Sequence, residues 1–424
     1  MIRTAFLLAL GGLALVACRS RPPYRAPAAA FYNGHPQHAY RAIVADGERG
    51  IPPEDEALWR NELGVAAICS GDEEAALRSL RIAGGIMGTL SSTSTEDARA
   101  IFGDESTKTY RGDPYERCMN AFYTGLLYYR RGDLDRASAS FKRGLLADAW
   151  SEAGEHQRDF AALSFMLGWV SHRRGKPEQA RYSFKEAATH APRNPHLADP
   201  RPEQNNVLIV AGLGVGPVKF RSGPHGSVAR FRRRDYPEEG IEVLVDGARV
   251  GQSAEATDLY IQAITRGKRV LDGIRSGKAV FKTGTYIAGQ VLLYDALYSH
   301  KQQTGQALVA LGLLLASALT RAEADVRHWD LLPGEIHVLP LSLAPGRHRI
   351  EIRVPGESGH PIAGWNRVFD VAVPPSGDTL YYFRTGPRKS IYGLVDAPRA
   401  PEAEDLPKLG FFAPGMSVAS PPKR

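Results

Sequence analysis

The stretch LGWVSHRRGKPEQARYSFKEAATHAP, residues 167–192, decides how the first half of this chain folds. Two short segments with apolar positions at helical spacing flank Gly175, and Pro192 closes the second. Gly168 is the small residue of the first segment, Ala180 that of the second, and Phe184 and Ala187 follow. Two helices that approach through small residues, with a glycine turning the chain between them, produce this pattern. The same frame recurs twice upstream. One copy has Gly125, Gly132-Asp133, Ala137, Phe141 and Gly144; the other has Gly64, Gly71-Asp72, Ala76, Leu80 and Ala83. A Ser-, Thr- and Asp-rich insertion around Gly85 to Tyr110 separates these two and reads as a surface loop or short extra helix.

The three copies are similar to the tetratricopeptide repeat in their small and large positions. The resemblance implies an α-solenoid over residues 31–195. Three pairs are few for an independent array, so the helices are expected to lean on the rest of the chain. Cys69 falls near the end of one first helix and Cys118 near the start of the next. Stacked first helices run parallel, so the two sulfurs lie too far apart to bridge, and two free, mostly buried thiols are expected. Phe122, Tyr123, Phe165 and Trp169 recur at core spacing. Tyr128 and Tyr129 are the candidate partner-binding residues, lining a concave groove of the kind such solenoids offer to peptides.

Pro192, Pro195, Pro200 and Pro202 break the helical pattern, and a β-rich domain is expected over 196–385. Val207-Leu208-Ile209-Val210-Ala211 is a buried strand by composition. The glycines that follow, Gly212, Gly214 and Gly216, lead into Pro217 and a second strand rather than a helix, so they provide no helix N-terminus for a phosphate. Ile241 to Val245, Asp246-Gly247 and Ala248 to Val250 read as a hairpin. Strands around Leu341, Arg349–Val354, Val371–Val373 and Thr379–Phe383 complete an antiparallel set, a small β-sandwich interrupted by a helical insertion over about 254–324. Within the insertion, the uncharged stretch 304–320 reads as a buried hairpin helix, with a membrane-resting helix as its alternative. The expected fold class is therefore α+β, a repeat array followed by an antiparallel sandwich-like domain.

The N-terminus adds an address. Arg3 precedes an apolar run that ends in Leu15-Val16-Ala17-Cys18, which resembles the lipobox of bacterial lipoproteins. That resemblance implies a signal peptide over 1–17, acylation of Cys18, and a tether over 18–30 holding the protein at the outer membrane, facing the periplasm. A Pro-rich tail occupies 386–424. A 43% apolar composition excludes a disordered chain, and a net charge of +7 suits an anionic envelope neighbourhood better than nucleic acid. The basic run Arg230 to Arg234, broken by Phe231, reads as a solvated loop or as a contact with an anionic envelope polymer.

Ala324-Asp325-Val326-Arg327-His328-Trp329-Asp330-Leu331-Leu332-Pro333 resembles a signature of uncharacterised bacterial lipoproteins that join tetratricopeptide-like helices to a β-rich half. Arg60-Asn61-Glu62-Leu63-Gly64, Tyr110 to Glu116 and Gly214 to Lys219 agree with it; the tail departs from it. Asp325, Arg327, Trp329 and Pro333 are read as structural, Asp325 and Arg327 pairing with each other or with backbone and Trp329 plugging a helix–strand junction. No metal-ligand spacing, Walker loop or nucleophile elbow occurs. The expectation is a non-enzymatic scaffold without cofactor or metal, bound to the membrane by its acyl chains and to envelope proteins by its repeats. The alternatives left open are an enzyme acting on envelope polymers and direct binding to peptidoglycan.

Overall fold

Each glycine-marked frame folds as a helical hairpin. In the computed structural model, which describes residues 24–88, 108–149, 159–223, 226–266, 324–362, 365–385 and 417–418, α1 (Ala28–Tyr32) and α2 (Pro36–Glu48) precede three pairs. These are α3 (Glu56–Ser70) with α4 (Glu73–Gly88), α5 (Pro114–Arg130) with α6 (Leu134–Ala149), and α7 (Ala161–Arg173) with α8 (Pro177–His190). Gly71, Gly132 and Gly175 turn the chain at φ of 83°, 74° and 69°, the left-handed region that a Cβ resists. At Gly64, Gly125 and Gly168 a Cβ would come within 2.5, 2.4 and 2.7 Å of Leu80, Phe141 and Phe184. The small residue of each first helix thus receives the large residue of its partner. First helices are buried almost all round, as Met119 to Leu127 illustrate, whereas second helices bury one stripe and expose the other.

The β half begins at β1 (Val207–Leu213), followed by β2 (Val218–Ser222), β3 (Val228–Arg232), β4 (Ile241–Val245), β5 (Ala248–Ser253) and β6 (Thr257–Asp258). A short helix α9 (Leu259–Arg266) comes next, then β7 (Glu335–Leu341), β8 (Gly346–Arg353), β9 (Arg367–Val373), β10 (Asp378–Arg384) and β11 (Ser417–Val418). One sheet runs β11-β10-β1-β7-β6, a second β5-β4-β8-β9, and β2 pairs with β3. Asp246 and Gly247 both take positive φ, 51° and 86°, as the tight β4–β5 hairpin requires.

The first sheet is buried on both faces. Leu208, Val210, Ile336, Val338, Leu380 and Tyr382 share a core with the helices. Their neighbours Val207, Ile209, Ala211, Leu339, Tyr381 and Phe383 share another with Ile241, Val243, Ile350, Ile352 and Val371 of the second sheet. Strand alternation sends successive side chains into opposite cores, so the helices, the first sheet and the second sheet lie in that order.

The set of strands is not wholly antiparallel. β10 pairs with β1 in parallel, Val207 opposite Thr379 and Ala211 opposite Phe383. The strands on either side of Pro345 belong to different sheets, so the chain crosses between layers there. The helix of the expected insertion starts at Leu259, because Ser253 to Asp258 still belongs to β5, β6 and their link. Residues 24–30, expected in the tether, are packed instead: the Tyr24 N–H donates to Asp55 at 2.8 Å, and Ala26 and Ala28 are buried. Cys69 and Cys118 are buried thiols that form no disulfide, and burial pushes the Cys69 thiol up to about 12. Cys18 and the signal segment, the stretch 304–320 and the tail except 417–418 lie outside the described residues.

Candidate functional site

Residues 324–334 carry little regular structure of their own, and their backbone groups must be satisfied from elsewhere. The first helices do this. Glu62, on α3, accepts the N–H of Asp330 at 2.6 Å and of Leu331 at 3.1 Å. Glu116, in the first turn of α5, accepts the N–H of Trp329 at 2.7 Å and that of Asp113 at 2.6 Å. From α1 the Tyr32 hydroxyl donates to the carbonyls of Asp330 and Leu332, at 2.8 and 3.1 Å.

Arg327 anchors the N-terminal end of this segment. Its guanidinium pairs with Asp325 at 2.8 Å and with Asp55 at 2.9 Å, and donates to the carbonyls of Glu54 and Lys108. It is 1% exposed. Burial opposes ionisation of Asp325, yet Arg327 and then Lys219 outweigh it and bring that carboxyl down to about 2. Glu62 behaves oppositely: burial, with the Asp330 carboxylate beside it, holds its carboxyl well above the usual carboxylate range. Burial also raises Glu116, against the pull of Lys219. Trp329 is fully buried with its ring 6.0 Å from that of Tyr123, and Pro333 packs where a Cβ on Gly212 would lie 3.3 Å away. The four signature residues therefore act at one junction, with Asp325 and Arg327 paired both to each other and to backbone.

The groove tyrosines separate. Tyr128 is half-buried, with the Arg136 guanidinium 5.8 Å from its ring centre. Tyr129 is fully buried and donates its hydroxyl to Asp378 at the start of β10. Trp169 Nε1 and Arg173 converge on the same carboxylate. Burial above all, then the Asp378 charge, push the Tyr129 hydroxyl well above its ordinary range. Neighbours on a helix point about 100° apart, so the pair cannot line one groove. Tyr129 belongs to the helix–sheet contact, as do Tyr123, whose hydroxyl lies 2.9 Å from that of Tyr382, and Arg130, which donates to the Leu380 carbonyl at 2.6 Å.

Sequence reasoning named Glu62 and Glu116 only within phrases that agree with the signature, without giving either a role, and it missed Asp378. A signal existed for the two glutamates: Glu62 interrupts the apolar run of α3, and Glu116 is the third residue after Asp113 in a helix-start pattern. The basic run is tied down as well, since Arg233 pairs with Asp258 and Arg234 donates to the Gly216 carbonyl. Gly214 has φ 63° and lies against the Tyr236 ring, while its N–H donates to Thr385 Oγ1 at 2.9 Å.

No family model, curated protein or solved structure matches this chain.

Chemically, the junction holds chain segments together. Its carboxylates are engaged by backbone N–H groups, by arginines and, at Asp330, by His328 Nε2 at 2.9 Å. An open cleft of about 600 Å³ lies between the end of α8 and the second sheet. Of its lining charges, Arg249 pairs with Glu242 on the adjacent strand and Arg193 with Glu255 beside the cleft. His196 is bound to the Val338 carbonyl at 2.9 Å, and burial lowers its pKa. Among the described residues no helix is long and apolar enough to cross a membrane, and no group of three His, Cys, Asp or Glu is placed to hold a metal ion.

Proposed function

We propose that this chain is a lipid-anchored cell-envelope scaffold, attached through Cys18 at the outer membrane, whose tetratricopeptide-like array binds another envelope protein by its outer face. One observation carries the choice of face. The inner side of the array, formed by α3, α5 and α7, is occupied by the chain's own segment 324–334 and by β10. A peptide partner would have to displace buried ion pairs to enter there, at a cost of several kcal/mol. The second helices remain open, with Tyr182 56% and Leu146 55% exposed. The layered sheets are read as a sandwich-like support for the array.

The test is photo-crosslinking in intact cells from positions 182 and 146, with position 129 as the buried control. The expected result is one reproducible envelope-protein adduct from the outer positions, none from 129, and loss of the adduct in Cys18→Ala. A chain that yields no adduct and sediments with purified sacculi overturns the scaffold in favour of direct polymer binding. The rival enzyme reading has less support, because among the described residues we identify no nucleophile beside a base at the junction or in the cleft.

A further inference from the structure

Between α4, α5 and α6 lies an open pocket of about 360 Å³, lined among the described residues by Gly84, Met87, Arg117, Asn120, Arg143 and Leu146 and their neighbours. Its wall is mostly apolar, yet two guanidinium groups reach it. Arg143 Nη2 donates to Asn120 Oδ1 at 2.9 Å. Asn120 is itself fixed, donating to the Leu80 carbonyl at 2.8 Å and to Asn61 Oδ1 at 2.9 Å. Gly84 makes room: a Cβ there would stand 2.8 Å from Arg143 Nη1. Arg117 Nε donates to the Arg111 carbonyl at 3.0 Å.

Neither Arg117 nor Arg143 makes an ion pair among the described residues. The carboxylate next to Arg117 in sequence, Glu116, is committed to the N–H groups of Trp329 and Asp113. Arg111 adds a like charge beside Arg117. Arginine stays protonated in proteins, so both are cations: Arg117 is half-buried and partly withdrawn from water, and Arg143 is exposed at the pocket mouth, its guanidinium held by Asn120. An anion from outside would offset that cost through charge-assisted hydrogen bonds. The apolar wall favours an ion with few oxygens over a fully hydrated phosphate.

We infer that this pocket binds a carboxylate carried on a short apolar body, with Arg117 and Arg143 on the carboxylate and Met87 and Leu146 against the body. Two sources share this chemistry, a free aliphatic acid and the C-terminal carboxylate of a peptide ending in an apolar residue. The site requires neither the anchor nor a protein partner, and because it shares Leu146 with the proposed outer face its test uses the purified chain alone.

Calorimetric titration of the purified full chain with octanoate and with acetyl-Ala-Leu tests it, octanamide and acetyl-Ala-Leu-amide serving as uncharged controls. Saturable one-to-one binding of at least one carboxylate is expected, with its amide about tenfold weaker or worse; whichever probe binds names the source. Arg143→Gln should weaken binding at least about tenfold, and Arg143→Lys by less, because lysine keeps the charge and loses the fork. Ala147→Trp, which fills the pocket from its rim and keeps both arginines in the chain, keeps the test open if Arg143→Gln fails to fold, and should abolish binding. If neither carboxylate binds, if the amides bind equally, or if a folded Arg143→Gln or Ala147→Trp binds unchanged, the inference is overturned and the arginines are surface cations.

Discussion

The two faces of the first sheet meet their neighbours in opposite ways. Toward the second sheet, Ile209, Ala211 and Phe383 meet Ile350, Ile352 and Val371 in an apolar contact. Toward the helices, Leu208, Val210 and Tyr382 are joined by a ring of buried polar groups, Tyr123, Tyr129, Arg130 and Asp378, which continues along 324–334 through Glu62, Glu116 and Arg327. Apolar contact is non-directional and tolerates small shifts, whereas buried hydrogen bonds and ion pairs are satisfied in few arrangements. The dry face supplies cohesion, and the polar face sets where the helices sit.

That contrast predicts unequal responses to substitution. Arg327→Met should be the most damaging change, by about 3–5 kcal/mol, because it strands the Asp325 and Asp55 carboxylates without their cation. Urea unfolding of Arg327→Met beside the triple change with Asp325→Leu and Asp55→Leu checks this. Recovery in the triple variant is expected, and a fully stable single variant would show that the anchor is ornamental.

pH should resolve the two kinds of buried carboxylate. Asp325 is depressed in the folded chain, to about 2 from an ordinary 3.8. Its contribution, on the order of 2 kcal/mol, is present above pH 4 and lost as pH falls toward 2. Glu62 and Glu116 are raised, so their contribution is present below about pH 4.5 and is lost as pH rises through their folded values. Stability at low salt should therefore peak on the acid side of neutrality, in urea midpoints measured from pH 3 to 8. Glu62→Gln should flatten the decline above pH 5, and an unchanged decline would remove Glu62 from the explanation.

Tyr129→Phe should cost about 1–3 kcal/mol, by taking a donor from buried Asp378. On the dry face, Ile350→Val should cost only about 0.5–1.5 kcal/mol. If the second exceeds the first in parallel denaturation curves, the contrast between the faces collapses.

Much of the helical half was legible because its rules are local. A glycine opposite a large side chain and a glycine at positive φ sit at fixed distances along the chain, so Gly64, Gly125 and Gly168, with Gly71, Gly132 and Gly175, announced the hairpins. The Asp246-Gly247 turn was legible for the same reason. Parallel pairing of β1 with β10 was not, since Val207 and Thr379 are far apart in sequence and nothing in either strand names its partner. The junction lay between these extremes. Asp325 and Arg327 could be paired on paper, being two residues apart, but Asp55 and the backbone of Glu54 and Lys108 come from a distant part of the chain. Tyr129 was misplaced because an exposed tyrosine and one that bonds a buried carboxylate look alike until the carboxylate's location is known.

The place of β10, between β1 and β11 and against the helices, has a consequence for how the protein acquires its shape. Synthesis runs from the N-terminus, so the helices emerge first and Asp378 to Arg384 among the last of the described elements. Until then Tyr129, Arg130 and Trp169 lack the groups that β10 brings them, and β1 lacks one neighbour. The array cannot mature as it leaves the ribosome and must wait for its final strand. Long-range closure of this kind is slow, and a chain that stops short of Asp378 would leave an open strand edge beside unpaired polar groups, a substrate for aggregation or for a chaperone.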